Sequence, residues 1–199
     1  MSQNSQPPDA EIPPECGGLP GARRDQQSVT RDWHSIQPLI DGVVVKEVLN
    51  VTKNNGILTE VWRADWGLDG LGIGQVFQNY LAAGSISSWH VHRVTTDRIF
   101  VNYGLIKVVL YDARKGSPTH GRINEFRLGL VRPALVVVPP GVWHLVQNLQ
   151  ETPSLLLNLV DRAYDYENPD HWRLPPETTE IPYRVFPETS ALAPSSAQV

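Results

Sequence analysis

One cysteine, Cys16, stands among 199 residues, so no internal disulfide can form. That fits a reducing compartment or indifference to redox state. Long hydrophobic runs are missing too: stretches such as Ala134 to Val138 are far too short to span a bilayer. There is no basic excess. A net charge of -4 and a pI of about 5.8 argue against nucleic acid or an anionic membrane surface as partner. The opening residues, M-S-Q-N-S-Q-P-P-D-A, carry neither a basic region nor an apolar run, so they do not read as a secretory signal. A cytoplasmic protein is the expectation. No Walker loop, dinucleotide fingerprint or Gly-x-Ser-x-Gly elbow is present, and convincing amphipathic helices are scarce.

What the chain does have is short β-type segments divided by turn formers. Val43 to Leu49 and Ile57 to Arg63 flank an Asn-Asn-Gly turn, and Gln75 to Tyr80 follows a glycine-rich loop. Further strands are expected over Leu105 to Tyr111, Ile123 to Leu128, Ala134 to Val138, His144 to Gln147 and Ser154 to Val160. Many short strands at regular spacing predict an all-β sandwich or barrel. The length suits one domain, drawn over residues 29–186. Residues 1–28, broken by five prolines, read as a disordered arm with Trp33 anchoring the entry; residues 187–199 read as a flexible tail. From Tyr164 to Phe186 aromatics alternate with prolines, which predicts an ordered wrap over the sandwich.

The chemistry concentrates between Gly84 and Gly104. His90 and His92 are two residues apart, so on a strand they share a face. A four-residue turn over Arg93 to Thr96 would set Asp97 across a hairpin from His92, with Cβ atoms about 5 Å apart. His144, after the turn at Pro139-Pro140-Gly141, supplies a third imidazole. The spacing Gly-x5-His-x-His-x4-Asp-x6-Gly, then Pro-x-Gly-x2-His-x3-Asn ending at Asn148, is the two-part cupin signature with Asp97 in place of its usual glutamate. The fold expected is a cupin double-stranded β-helix, or jelly roll. Imidazoles with a carboxylate suit a divalent transition metal, here Fe, Mn, Zn or Ni, on His90, His92, Asp97 and His144. Trp89 and Trp143 should face away from the histidines beside them and pack. His120 lies in a turn-forming loop and reads as solvent-facing; His34 and His171 fall outside the expected core.

A second pattern narrows the field. The segment Tyr111 to Gly121, Y-D-A-R-K-G-S-P-T-H-G, resembles the D-x-R-K-x-S-P-T-x-G segment of dTDP-4-dehydrorhamnose 3,5-epimerases. The likeness runs over roughly residues 42–166 and includes Asn55-Gly56 with Glu60, Gln75, Ser87 to His90, Pro140 to His144, and Tyr164. It implies a usually dimeric cupin that epimerises a deoxy-keto sugar on a nucleotide through enolate intermediates. It also implies His90 as catalytic base, and Arg114, Gln75, Glu60 and Asn158 as substrate-binding residues. The partner implied is a sugar or nucleotide sugar.

Several family residues are replaced. The arginines expected at 87 and 55 are Ser87 and Asn55, the lysine is Asp97, and the glutamine after the base is His92. The tyrosine acid falls on Asn158, or on Leu157 with a different gap, and the aspartate that pairs with the base has no counterpart. The changes at 92 and 97 suggest a pocket rebuilt around a metal that stabilises an enolate. A metal-dependent oxygenase acting on a small organic substrate, or a cupin that binds a ligand without turning it over, fits the same residues.

Overall fold

The computed structural model describes residues 17–19, 22, 27–32, 35–68 and 70–185. Cys16, Trp33, His34, the tail at 187–199 and most of the arm at 1–28 lie outside the described residues. The chain divides into two compact units, Met1–Pro38 and Leu39–Val199. In the first unit Val29 and Ser35 form an isolated antiparallel bridge.

The second unit is built from twelve strands: β1 Val44–Glu47, β2 Asn50–Lys53, β3 Gly56–Thr59, β4 Gln75–Leu81, β5 Trp89–Val91, β6 Asp97–Tyr103, β7 Leu105–Asp112, β8 Ile123–Gly129, β9 Ala134–Val138, β10 Val142–Asn148, β11 Ser154–Val160 and β12 Trp172–Leu174. Among the described residues the one helical element is a 3-10 turn, Ala64–Trp66, and no helix is long and apolar enough to cross a membrane. Two five-stranded antiparallel sheets, ordered β1-β9-β6-β11-β4 and β12-β5-β10-β7-β8, make the jelly roll, with β2-β3 as a separate hairpin. The cupin expectation is met.

The core lies between the sheets: Val108 and Leu110 of β7, Val136 and Val138 of β9, and Ile99, Val101 and Leu156 pack there. The outer faces are covered as well. Val109, Leu145 and Trp89 pack under Ile181 and Tyr183 of the segment after β12, while Phe100, Leu135 and Leu159 pack under Trp62, Trp66 and Ile73. Strands buried on both faces need apolar residues at consecutive positions, which is why β9 reads A-L-V-V-V without alternation. The expected wrap is thus a cover over its described part, Tyr164 to Val185, with Phe186 outside the described residues, and Trp89 packs fully buried away from the cleft.

One expectation is overturned. Gly84 to Gly104 is not a hairpin, because β5 and β6 belong to different sheets. Arg93 to Thr96 is the corner by which the chain crosses from one sheet to the other. The same crossing recurs at Gly104 between β6 and β7, where φ is +84° and a Cβ would lie 2.0 Å from Ser154 Oγ. Only glycine fits that corner.

Candidate active site

A cleft of about 990 Å³ opens at one end of the sandwich. Its walls are Gln75, Phe77 and Asn79 of β4, His90 and His92, Asp97, Asn158 and Val160 of β11, and residues of the segment 162–173. Strand parity decides which side chains enter. Asn158 faces the cleft, whereas Leu157 packs with Phe100 and Leu135 on the outer face.

The histidines converge from two neighbouring strands. His90 of β5 lies directly opposite His144 of β10, with ring centroids 3.9 Å apart. Each imidazole is held by Nδ1 against a backbone carbonyl two residues back: His90 on Ser88 at 3.2 Å and His144 on Val142 at 3.1 Å. His92 Nδ1 takes the carbonyl of Asp170 in the same way. A carbonyl can only accept, so Nδ1 carries the proton in all three rings and Nε2 is the atom turned to the site.

Asp97 enters from the facing sheet. Its Oδ2 lies 3.2 Å from His92 Nε2 and 3.1 Å from His144 Nε2, at ion-pair distance but without the alignment of a hydrogen bond. Its Oδ1 accepts from Asn158 Nδ2 at 2.6 Å. Burial alone would raise the carboxyl, but the contacts with His144 and His92 outweigh it and hold Asp97 well below the usual carboxylate range. Burial lowers His92, yet the partnership with Asp97 outweighs that and raises the ring above its ordinary value. His90 has no such partner. Burial, and then the neighbouring His144, push it well below the ordinary imidazole value, so it stands neutral with a free Nε2 lone pair.

The segment after β11 adds what the sequence reading left out. The Asp170 carboxylate accepts from the backbone N–H groups of Arg93, Val94 and Thr95 at 2.8–2.9 Å and from Thr95 Oγ1 at 2.8 Å. This clamp docks the segment on the β5–β6 corner and carries His171 into the cluster, its ring centroid 5.1 Å from that of His90 and 4.8 Å from that of His92. Burial, then the charge of Arg173, lower His171 to about 4. The sequence pattern alone places His171 outside the core. Its only sequence signal is the run Asn168-Pro169-Asp170-His171-Trp172, whose spacing ties it to no other motif.

The remaining expected site residues divide. Gln75 and Asn158 line the cleft, and Gln75 Oε1 accepts the backbone N–H of Tyr164 at 2.8 Å. Arg114 and Glu60 do not line it. Glu60 pairs with Arg63 at 3.0 Å on the exposed surface. Arg114 is bidentate on buried Asp112, through Nε at 2.8 Å and Nη2 at 2.9 Å, and also donates to the Asp41 carbonyl at 2.7 Å. Ser117 and Thr119 hydroxyls complete the shell around Asp112 at 2.5 and 2.6 Å. In this chain, therefore, the segment from Asp112 to Gly121 is a polar staple for its own loop; its Arg114 does not wall the cleft.

Together the sandwich and the histidine cleft define a jelly-roll protein with a candidate active site. Residues 37–194 match the model of the dTDP-4-dehydrorhamnose 3,5-epimerase family, and the chain belongs to that family. It is 32% identical over 139 residues to the probable low-salt glycan biosynthesis epimerase Agl13 of Haloferax volcanii, a match covering 69% of this chain and 89% of that protein. A dTDP sugar isomerase structure from Desulfovibrio desulfuricans G20 is 27% identical with a TM-score of 0.68, over 72% of this chain and 90% of that one. The fold is shared by the Bacillus anthracis dTDP-4-dehydrorhamnose 3,5-epimerase with TDP and PPi bound, at TM-score 0.66 and 22% identity, over 74% of this chain and 87% of that one.

Membership corrects the metal expectation. Epimerases of this family act without a metal cofactor, so Fe, Mn, Zn or Ni on His90, His92, Asp97 and His144 is withdrawn. Among the described residues, no cluster of donor atoms within 4.8 Å of one another holds all four: His92, Asp97 and His144 form one group, and His90 joins His92 and His171 in another. The Asp97 carboxylate has imidazole partners, and its contact with His92 raises that ring above its ordinary value.

Proposed function

We propose that this epimerase acts on a keto sugar carried by a nucleoside diphosphate, inverting a carbon next to the carbonyl through an enolate, with His90 as the base. The observation that carries this reading is the state of His90. Its Nδ1–H is committed to the Ser88 carbonyl, burial and His144 keep the ring neutral, and Nε2 is free at the wall of the cleft. Such a ring is ready to accept a proton from carbon. When the C–H bond breaks, its electron pair forms the C–C double bond and the carbonyl oxygen becomes an enolate. A positive charge nearby stabilises that oxygen. Asp97 stands where the resemblance expects a lysine, and by raising His92 it favours a positive charge on the neighbouring ring.

Support for a nucleotide comes from the cleft rim. Arg173 of β12 reaches back to donate to Ser88 Oγ at 2.9 Å, beside Ser87, where the resemblance expects an arginine. Arg162 lines the same wall, and guanidinium groups suit a pyrophosphate. The exposed rings of Tyr164 and Tyr166, 5.1 Å apart, lie along that wall too. Gln75 and Asn158 are the remaining proposed substrate contacts.

The test is proton exchange. Incubated with dTDP-4-dehydrorhamnose in deuterium oxide, the protein should introduce deuterium next to the carbonyl, read by NMR. His90→Ala should slow that exchange by about 10²- to 10⁴-fold. Wild-type protein that exchanges no carbon-bound hydrogen would sink the reading.

A further inference from the structure

We propose that His171 is a second catalytic residue, donating a ring N–H to the substrate's carbonyl oxygen while His90 takes the proton from the adjacent carbon. The inference deepens the epimerase reading and rests on it.

Three observations carry it. First, His171 Nε2 is a buried polar atom with no hydrogen-bond partner, on a residue that lines the substrate cleft. Buried ring nitrogens are normally paired, so one left open on the wall of a cleft is expected where a ligand group is the missing partner. Second, the spacing fits. One ring nitrogen from each of His90, His92 and His171 lies within 4.8 Å of the others. A base working on a carbon and a donor working on the neighbouring carbonyl oxygen address atoms only about 2.4 Å apart, each from about 3 Å away, so their nitrogens belong on one side at such a distance. A pair of bases on opposite faces of one carbon would need to stand farther apart. Third, the residue is held in place. Asp170, immediately before it, accepts four hydrogen bonds from the β5–β6 corner and gives its carbonyl to His92 Nδ1.

The proton-abstraction step balances within the substrate and these two rings. The C–H bond breaks, its proton forms a bond to His90 Nε2, and its electrons become the C–C π bond. The carbonyl π electrons move to oxygen, where the N–H of His171 meets the new charge as a hydrogen bond without transferring its proton. A proton from solvent water returns to the opposite face of that carbon, the π electrons re-forming the C–H bond and the carbonyl, and His90 releases its proton to water. Asn158, which stands where the resemblance expects the acid tyrosine, is an amide and cannot supply a proton, and its Nδ2 is already bonded to Asp97.

Two variants test this with dTDP-4-dehydrorhamnose in deuterium oxide, alongside dTDP affinity and the melting temperature. His171→Ala should slow deuterium entry by about 10²- to 10³-fold, as removal of an oxyanion donor does, with dTDP affinity and melting temperature unchanged. His171→Gln keeps an N–H donor and should recover part of the rate. Exchange by His171→Ala within twofold of wild type would overturn the proposal and leave the epimerase reading intact. Loss of dTDP binding or of folding in both variants would also overturn it, since it would mark a structural residue. No exchange by wild type would remove both.

Discussion

At the scale of single residues the site turns on Asp97. It is 1% exposed, and a lone carboxylate at such depth would be held neutral by its own desolvation. Instead His92 and His144 meet it, and each partner moves the other: the carboxyl is held low and His92 is raised. The signs differ. The depressed carboxyl contributes stability above its unfolded value of about 3.9 and loses it as pH falls further. The raised imidazole contributes below about 6.5 and loses it as pH climbs through its folded value. Replacing Asp97 with Asn should shift the His92 titration to lower pH, followed by the NMR signal of its ring protons, and should cost about 3 kcal/mol in urea melts, as removing one member of a buried pair does. An unchanged His92 titration would show that another group keeps this ring charged.

At the scale of elements, the turn after β7 is the clearest case of a motif whose role lies in its own loop. Arg114, Ser117 and Thr119 all point at Asp112, and Thr119 Oγ1 also accepts the backbone N–H of Asp41 at 2.9 Å. Burial opposes ionisation of Asp112, but the Arg114 guanidinium and the two hydroxyls outweigh it and hold the carboxyl well below the usual range. The staple is therefore intact above about pH 3.9 and weakens as pH falls below it. Arg114→Ala should cost about 1–3 kcal/mol, the penalty for leaving buried acceptors unpaired, while the exchange rate at 25 °C stays within about twofold of wild type. A large loss of rate in a folded Arg114→Ala protein would return this arginine to the cleft.

At the scale of the whole molecule, the C-terminal segment serves both stability and chemistry. It covers the outer face of one sheet, where Tyr183 meets Trp89 edge-on at 6.0 Å, and it delivers Asp170, His171 and Arg173 to the cleft. Trp89 is 0% exposed and sits on β5 beside His90, so the cover and the strand that carries His90 share one packing contact. Trp89→Ala should cost about 3–5 kcal/mol and should expose the segment from 174 to 185 to limited proteolysis before the sandwich itself is cut. Equal resistance of that segment in wild type and variant would show that other contacts hold it.

The sequence by itself determined the jelly roll and half of the pocket. Alternation, apolar runs and turn glycines are local signals, so the core strands were legible to within a residue or two, and β9 and β11 coincide with their expected spans. His90, His92 and His144 were legible because strand periodicity alone puts the first two on one face and a tight turn precedes the third. What lay beyond reach was long-range. Whether β5 and β6 pair or part depends on which sheet each joins, and the same residues between Gly84 and Gly104 satisfy a hairpin pattern either way. Asp97 consequently meets His92 across the sandwich, where a hairpin partner had been expected. Arg114 and His171 exchanged their expected places for the same reason. Periodicity within one segment carries no information on what another segment, here residues 162–173 docked by Asp170, will bring against it, and only the tertiary structure decided that.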